Sequence, residues 1–159
     1  MKKLIINIGI TLIFSIVFFQ GSILASEEYE LVDEWGGTGS EEGKFLEPMG
    51  LAIDKEGNLY VSDPTGNHRI QKFTSDGDFI TKWGGPGSGD GEFGSPWGID
   101  VDNEGNVYVA DMWNARIQKF TSAGDFITKW STEVEGIWLY FNPRGLAVDN
   151  TGNGNTLAL

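Results

Sequence analysis

Gly57-Asn58-Leu59-Tyr60-Val61-Ser62-Asp63 returns as Gly105-Asn106-Val107-Tyr108-Val109-Ala110-Asp111, and Ile80-Thr81-Lys82-Trp83 returns as Ile127-Thr128-Lys129-Trp130. The spacing is 47 to 48 residues. Self-similarity at this period marks an array whose units are single supersecondary elements that cannot bury their apolar faces alone, so neighbouring copies must stack to form a core. Function then has to be read from the places where the copies differ.

Within one unit, four short alternating runs are bounded by Gly, Asn, Asp or Pro, the pattern of a small antiparallel sheet. In the second copy they are Gly98 to Asp102, Asn106 to Ala110, Arg116 to Phe120 and Phe126 to Trp130. The turns Asp54-Lys55-Glu56-Gly57-Asn58 and Asp102-Asn103-Glu104-Gly105-Asn106 place Gly where a tight hairpin needs positive φ, and Ser122-Ala123-Gly124-Asp125 does so one hairpin later. Helical periodicity is absent after residue 26.

The N-terminus is of another kind. Met1-Lys2-Lys3 opens with positive charge, Leu4 to Phe19 is apolar apart from Asn7, Thr11 and Ser15, and Ser22-Ile23-Leu24-Ala25-Ser26 suits cleavage near Ala25 or Ser26. Residues 1–25 are therefore expected to be a secretory signal peptide, with an uncleaved membrane anchor as the alternative. Either reading makes residues 26–159 secreted or extracytoplasmic. Removal of residues 1–25 takes Lys2 and Lys3 and no acidic side chain, leaving 9 basic against 23 acidic residues, a net charge of −14. Such a chain repels nucleic-acid phosphates, and no nucleic-acid partner is expected. With no cysteine, disulfides are excluded and stability must come from packing and sheet hydrogen bonds.

Pro96-Trp97-Gly98-Ile99-Asp100-Val101-Asp102, then Gly105 to Asp111, then Asn114-Ala115-Arg116-Ile117-Gln118-Lys119-Phe120 closely resembles the NHL repeat, whose copies build six-bladed β-propellers. The first copy matches through Pro48, Gly50, Asp54, Gly57, Asn58, Tyr60, Val61, Asp63, Asn67, Arg69, Ile70 and Phe73. The resemblance implies an all-β fold of antiparallel four-stranded blades, at about residues 48–83 and 96–130, with a partial third from residue 143. Tyr29 to Trp35 aligns with the outermost strand of a blade, because Trp35 precedes Trp83 by 48 residues and is followed by the same Gly-Gly pair. The third copy starts with Pro143-Arg144-Gly145-Leu146-Ala147-Val148-Asp149, and its second, third and fourth strands are expected to be missing. A six-bladed ring needs on the order of 280 residues at this period. The expectation is an incomplete array from a truncated or frameshifted longer gene, with open sheet edges prone to aggregation.

Propellers of this family serve as binding platforms, sensors and, less often, lyases. His68, the single histidine, stands where the next copy has Ala115, a position expected to face solvent. Zinc generally needs three protein ligands, so no metal or other cofactor is expected. A Ser62, His68, Asp63 triad would have to come from neighbours in one hairpin, which rarely reach the required geometry. Calcium on Asp54, Asp102 or Asp149 lacks the dense alternating acids of calcium loops. The sets Asp63, Asn67, Arg69 and Asp111, Asn114, Arg116 recur and read as architecture, as do Trp35, Trp83 and Trp130. Gly36 to Phe45 fails as a phosphate loop, since Phe45 replaces the Ser or Thr that would hold magnesium; it and Gly84 to Phe93 read as inter-blade connections.

What varies is Met49, Trp97 and Arg144 between the recurring Pro and Gly, and the loop after the recurring Asp, Pro64-Thr65-Gly66 in one copy and Met112-Trp113 in the other. The resemblance places these loops together near the central axis. Met49, Trp97, Trp113 and Arg144 are the candidate ligand-binding residues, and no catalytic residue set is visible. The preferred reading is an exported, non-enzymatic binding or scaffold module for a protein, peptide or glycan. The alternative is a fragment of a propeller lyase or hydrolase whose catalytic residues lie in missing blades.

Overall fold

The structure, a computed structural model, describes residues 6–7, 33–132, 142–149 and 156–158. Apart from Ile6 and Asn7, the expected signal segment lies outside the described residues. Strand β1 (Ile6–Asn7) pairs in parallel with β2 (Asp33–Glu34). The first four-stranded sheet is β3 (Leu51–Ile53), β4 (Leu59–Asp63), β5 (Arg69–Phe73) and β6 (Phe79–Gly84), joined in chain order as an antiparallel meander. The second repeats it with β7 (Pro96–Val101), β8 (Val107–Asp111), β9 (Arg116–Phe120) and β10 (Phe126–Ser131). In the second blade the strands fall within two residues of the runs marked by alternation.

The third copy differs from the sequence expectation. Behind β11 (Leu146–Val148) a second strand is present, β12 (Thr156–Ala158), pairing Leu146 with Ala158 and Val148 with Thr156. The segment Gly152 to Asn155 carries no apolar alternation, which is why a strand beyond it escaped a pattern search.

The two middle strands of each blade are buried along nearly all their length; in the first, Tyr60 and Ile70 pack on the second blade while Leu59, Val61 and Phe73 pack on Phe45, Trp35 and Phe79. Ala52, Tyr60 and Ile70 of the first blade cluster with Ile99, Val101, Val107, Val109 and Phe120 of the second. Tyr108, Ala110 and Ile117 continue the stack onto Val148 and Leu146. Trp83 of β6 reaches across to Phe120, ring centroids 5.9 Å apart, while keeping an edge contact with Tyr60 at 6.3 Å. Trp35 makes the matching approach to Phe73, at 4.6 Å. Its alignment with the outermost strand of a preceding blade is thus reproduced in its packing.

Each β3–β4 type hairpin is locked by its first acid. Asp54 Oδ1 accepts the N–H groups of Glu56 and Asn58, and its Oδ2 accepts Asn58 Nδ2 and the Tyr60 hydroxyl. Asp102 does the same with Glu104, Asn106 and Tyr108. Gly57 and Gly105 supply the positive φ these turns need, 88° and 85°. The acids weighed as calcium ligands at these turns are therefore already engaged by the chain.

Candidate functional site: the loop end of the blades

Two frames hold the loops at the opposite end from the Asp54 and Asp102 turns. In the first, Asp63 Oδ1 accepts the N–H groups of Leu46 and Glu47, and Asp63 Oδ2 accepts Asn67 Nδ2 at 2.6 Å. Arg69 donates to the carbonyls of Ser40, Glu41 and Lys44, and Gln71 grips the same connection through Gly43 N–H and Lys44 carbonyl. In the second, Asp111 accepts Gly94, Ser95 and Asn114, while Arg116 donates to Ser88, Gly89 and Glu92. The Gly-rich stretches are inter-blade connections whose free carbonyls are satisfied by the arginine of the blade they enter. The recurring Asp, Asn and Arg are architectural.

The variable residues sit on this frame. Gly50 and Gly98, the glycines of the inner strands, press against the next blade: a Cβ on Gly50 would lie 2.3 Å from the Trp97 carbonyl oxygen, and one on Gly98 would lie 2.6 Å from that of Arg144. Residues 49, 97 and 144, each one position before such a glycine, therefore follow one another along the inner edge. The Arg144 guanidinium lies over the Trp97 ring, 5.0 Å from its centroid, and Trp97 Nε1 donates to Ser95 Oγ at 3.0 Å. Met49 is exposed beside them in sequence order, its N–H donating to the Ser62 carbonyl.

Trp113 lies on the loop after the recurring Asp111. It occupies a single 3-10 turn, Met112–Asn114, and is 67% exposed, the largest such value among the exposed apolar side chains of the described residues. Its Cβ packs against Gly94 and its ring stands 6.5 Å from that of His68. His68 departs from the sequence expectation. It is half-buried, not turned to solvent, because its left-handed backbone (φ 48°) directs Nδ1 onto the Gly94 carbonyl at 2.9 Å, bridging one blade's loop to the next. Ala115 has the same φ, 47°, without the side chain.

The triad considered from sequence does not assemble. Ser62 Oγ donates to the Trp97 carbonyl at 2.6 Å and accepts Gly50 N–H, Asp63 holds backbone, and His68 faces Gly94. Among the described residues no group of three His, Asp or Glu is placed to hold a metal ion. Leu46 is the residue that sequence reasoning missed. It is exposed on the same end, packed over Gly66, and its signal was only that the second copy has Gly94 in its place.

The NHL repeat family matches residues 45–73 and 93–120, which carry β3 to β5 and β7 to β9. These two stretches are NHL repeats. A 46-residue stretch is 46% identical to B-box type zinc finger protein ncl-1 of Caenorhabditis elegans, and another comparison over 46 residues gives 44% with Protein brain tumor of Drosophila melanogaster. Each covers 29% of this chain, against 5% and 4% of those proteins. Among solved structures, a streptogramin B lyase superposes with a TM-score of 0.51 at 20% identity, over 70% of this chain and 39% of that one. Virginiamycin B lyase from Staphylococcus aureus gives 0.52 at 14% identity, over 73% and 43%. Kuenenia stuttgartiensis hydrazine synthase gives 0.55 at 11% identity, over 89% and 32%. These NHL repeats thus have the blade architecture of β-propeller proteins, and the chain spans less than half the length of each structure compared.

Proposed function

We propose that this chain is an exported, non-enzymatic binding module whose loop end takes a peptide segment of a partner protein. The observation that carries the reading is the exposure of Trp113 on a loop whose polar side chains are otherwise engaged. Asp63, Asn67, Arg69, Asp111, Asn114 and Arg116 all hold the frame, so what this end offers a ligand is Leu46, Met49 and Trp113, the exposed polar Glu47 and Thr65, and the Arg144 guanidinium over Trp97. Apolar anchors beside a cation suit an apolar side chain next to a carboxylate or carbonyl. The engagement of the recurring acids by the frame also favours binding over catalysis. Export follows from residues 1–25, as argued from their charge and apolar run.

The test is selection from a displayed random-peptide library on the immobilised full chain, beside a glycan array, with Trp113→Ala and Arg144→Ala as comparisons. The reading requires peptides with a shared apolar position whose affinity falls at least about tenfold in Trp113→Ala, about 1.4 kcal/mol. Glycan binding without peptide binding overturns the peptide assignment, and selected peptides indifferent to both substitutions overturn the site.

A further inference from the structure

The blade itself does not require a histidine at position 68. Ala115 stands at the same place in the second blade with the same left-handed backbone, φ 47° against 48°, and nothing beyond Cβ. The His68 imidazole instead crosses from the first blade to the second, where Nδ1 meets the Gly94 carbonyl at 2.9 Å. A carbonyl oxygen only accepts, so the proton of the neutral ring sits on Nδ1 and Nε2 carries the lone pair. Nε2 has no hydrogen-bond partner among the described residues, and it is not sealed off: the buried side-chain nitrogens and oxygens without a partner there are Arg69 Nε and Trp83 Nε1. Beside it stands Trp113, ring centroids 6.5 Å apart and planes inclined at 59°, so the two rings adjoin without stacking and Trp113 keeps its 67% exposure. His68, Gly94 and Trp113 thus gather an open indole and a fixed acceptor at the boundary between the first two blades.

From this we infer that Trp113 and His68 form a subsite that reads one side chain of the partner segment, an apolar body ending in an N–H or O–H donor. The inference rests on the peptide reading above and names the chemistry of its anchor. The body lies on the indole while the tip donates to His68 Nε2, a division between apolar stem and polar end that lysine, tyrosine and tryptophan share. Leucine, isoleucine, valine, methionine and phenylalanine can cover the same indole, but they displace water from Nε2 without replacing its hydrogen bond, and an acceptor left without a donor costs affinity. A carboxylate tip has no proton to give and approaches a chain of net charge −12. The bond from Nδ1 to Gly94 fixes both the ring and its tautomer before the ligand arrives, so little ordering remains to oppose binding.

Two small probes separate this subsite from the peptide reading. p-Cresol carries an aromatic body and an O–H tip, and its methyl ether lacks that donor. Titrated into the full chain at about pH 8, where a free imidazole is neutral, p-cresol is expected to shift the Trp113 indole N–H and the imidazole nitrogen resonances of the single histidine. It is expected to bind about two- to tenfold more tightly than the ether. His68→Asn keeps an N–H where Nδ1 stands, and with it the bridge to Gly94, but has no atom in place of Nε2. It is expected to bring the two probes to equal affinity, as is His68→Ala, which installs the side chain of Ala115. A purely structural role would weaken both probes alike and leave their ratio unchanged. Absence of p-cresol binding at Trp113, equal binding of both probes by the parent chain, or a preference that survives His68→Asn overturns the proposal. In the peptide selection, lysine, tyrosine or tryptophan at the shared position supports it, and leucine, isoleucine, valine, methionine or phenylalanine there overturns it. If no peptide is selected while the p-cresol preference is present and lost in His68→Asn, the peptide reading fails and the subsite stands.

Discussion

Arg116 Nε donates to Asp111 Oδ2 at 2.9 Å, and the pair is buried at the point where one blade receives the connection from the last. The carboxylate also takes the N–H groups of Gly94 and Ser95, and the guanidinium takes three backbone carbonyls. Removing one partner leaves a buried charge and several orphaned backbone groups. Asp111→Ala is expected to lower stability by about 3–5 kcal/mol, read from urea unfolding. The homologous pair is looser, with Arg69 Nε 3.4 Å from Asp63 Oδ2 and donating no hydrogen bond among the described residues. Asp63→Ala should therefore cost no more than Asp111→Ala.

The inner-strand glycines give a graded series. A Cβ on Gly50 would meet the Trp97 carbonyl oxygen and the Ser62 hydroxyl, and one on Gly98 would meet Arg144 backbone. Backbone cannot step aside as a flexible side-chain end can. Gly50→Ala and Gly98→Ala are expected to destabilise by about 1–3 kcal/mol, with Gly145→Ala within about 0.5 kcal/mol of the parent, all from denaturant midpoints of the same chain at high dilution.

How far the sequence discloses this molecule can be followed through single residues. Both blades were legible because period-2 alternation and Gly-Asn turns coincide, and Trp35 was legible because the 48-residue spacing continues upstream of the first blade. Trp113 stood out as a copy-to-copy difference, and it is exposed. His68 misled, since its position looked dispensable from Ala115; only the left-handed backbone shared by both residues turns its ring onto Gly94. The Arg144 guanidinium over the Trp97 ring was equally hidden, because it depends on which carbonyl each inner glycine meets across a blade boundary. Such contacts join residues about 47 apart and have no local pattern.

Trp113 and Trp83 should behave as opposites. Trp83 fills the space between Tyr60 and Phe120, and Trp83→Ala is expected to cost about 3–5 kcal/mol. Trp113 exposes most of its ring, and Trp113→Ala is expected to move the unfolding midpoint by no more than about 0.5 kcal/mol. Thermal or urea unfolding of both variants checks the contrast, and a large loss in Trp113→Ala would show that its contact with Gly94 and His68 is structural.

Stability should fall at both extremes of pH, and the hairpin acids say why. Burial works to raise the carboxyls of Asp54 and Asp102, but the side-chain and backbone donors of Asn58 and Asn106 and the tyrosine hydroxyls outweigh it and hold both below the usual carboxylate range. A carboxyl depressed in the folded state contributes stability above its unfolded pKa, and loses it as pH falls from about 4 through the folded value. On the alkaline side, burial and then the hydrogen bond to Asp54 push Tyr60 up, and burial with the Asp102 contact raises Tyr108 against the opposing pull of Lys119. Lys119 is itself raised, since burial, which would lower it, is outweighed by Tyr108 and Asp102. Groups raised in the folded state contribute below their unfolded pKa and lose that contribution as pH climbs above about 10. Urea midpoints measured from pH 2.5 to 11 should trace a plateau with two falling limbs. The Tyr60→Phe and Tyr108→Phe double variant should flatten the alkaline limb and shift the acid limb upward in pH, because each carboxylate then loses one of the donors that depress it.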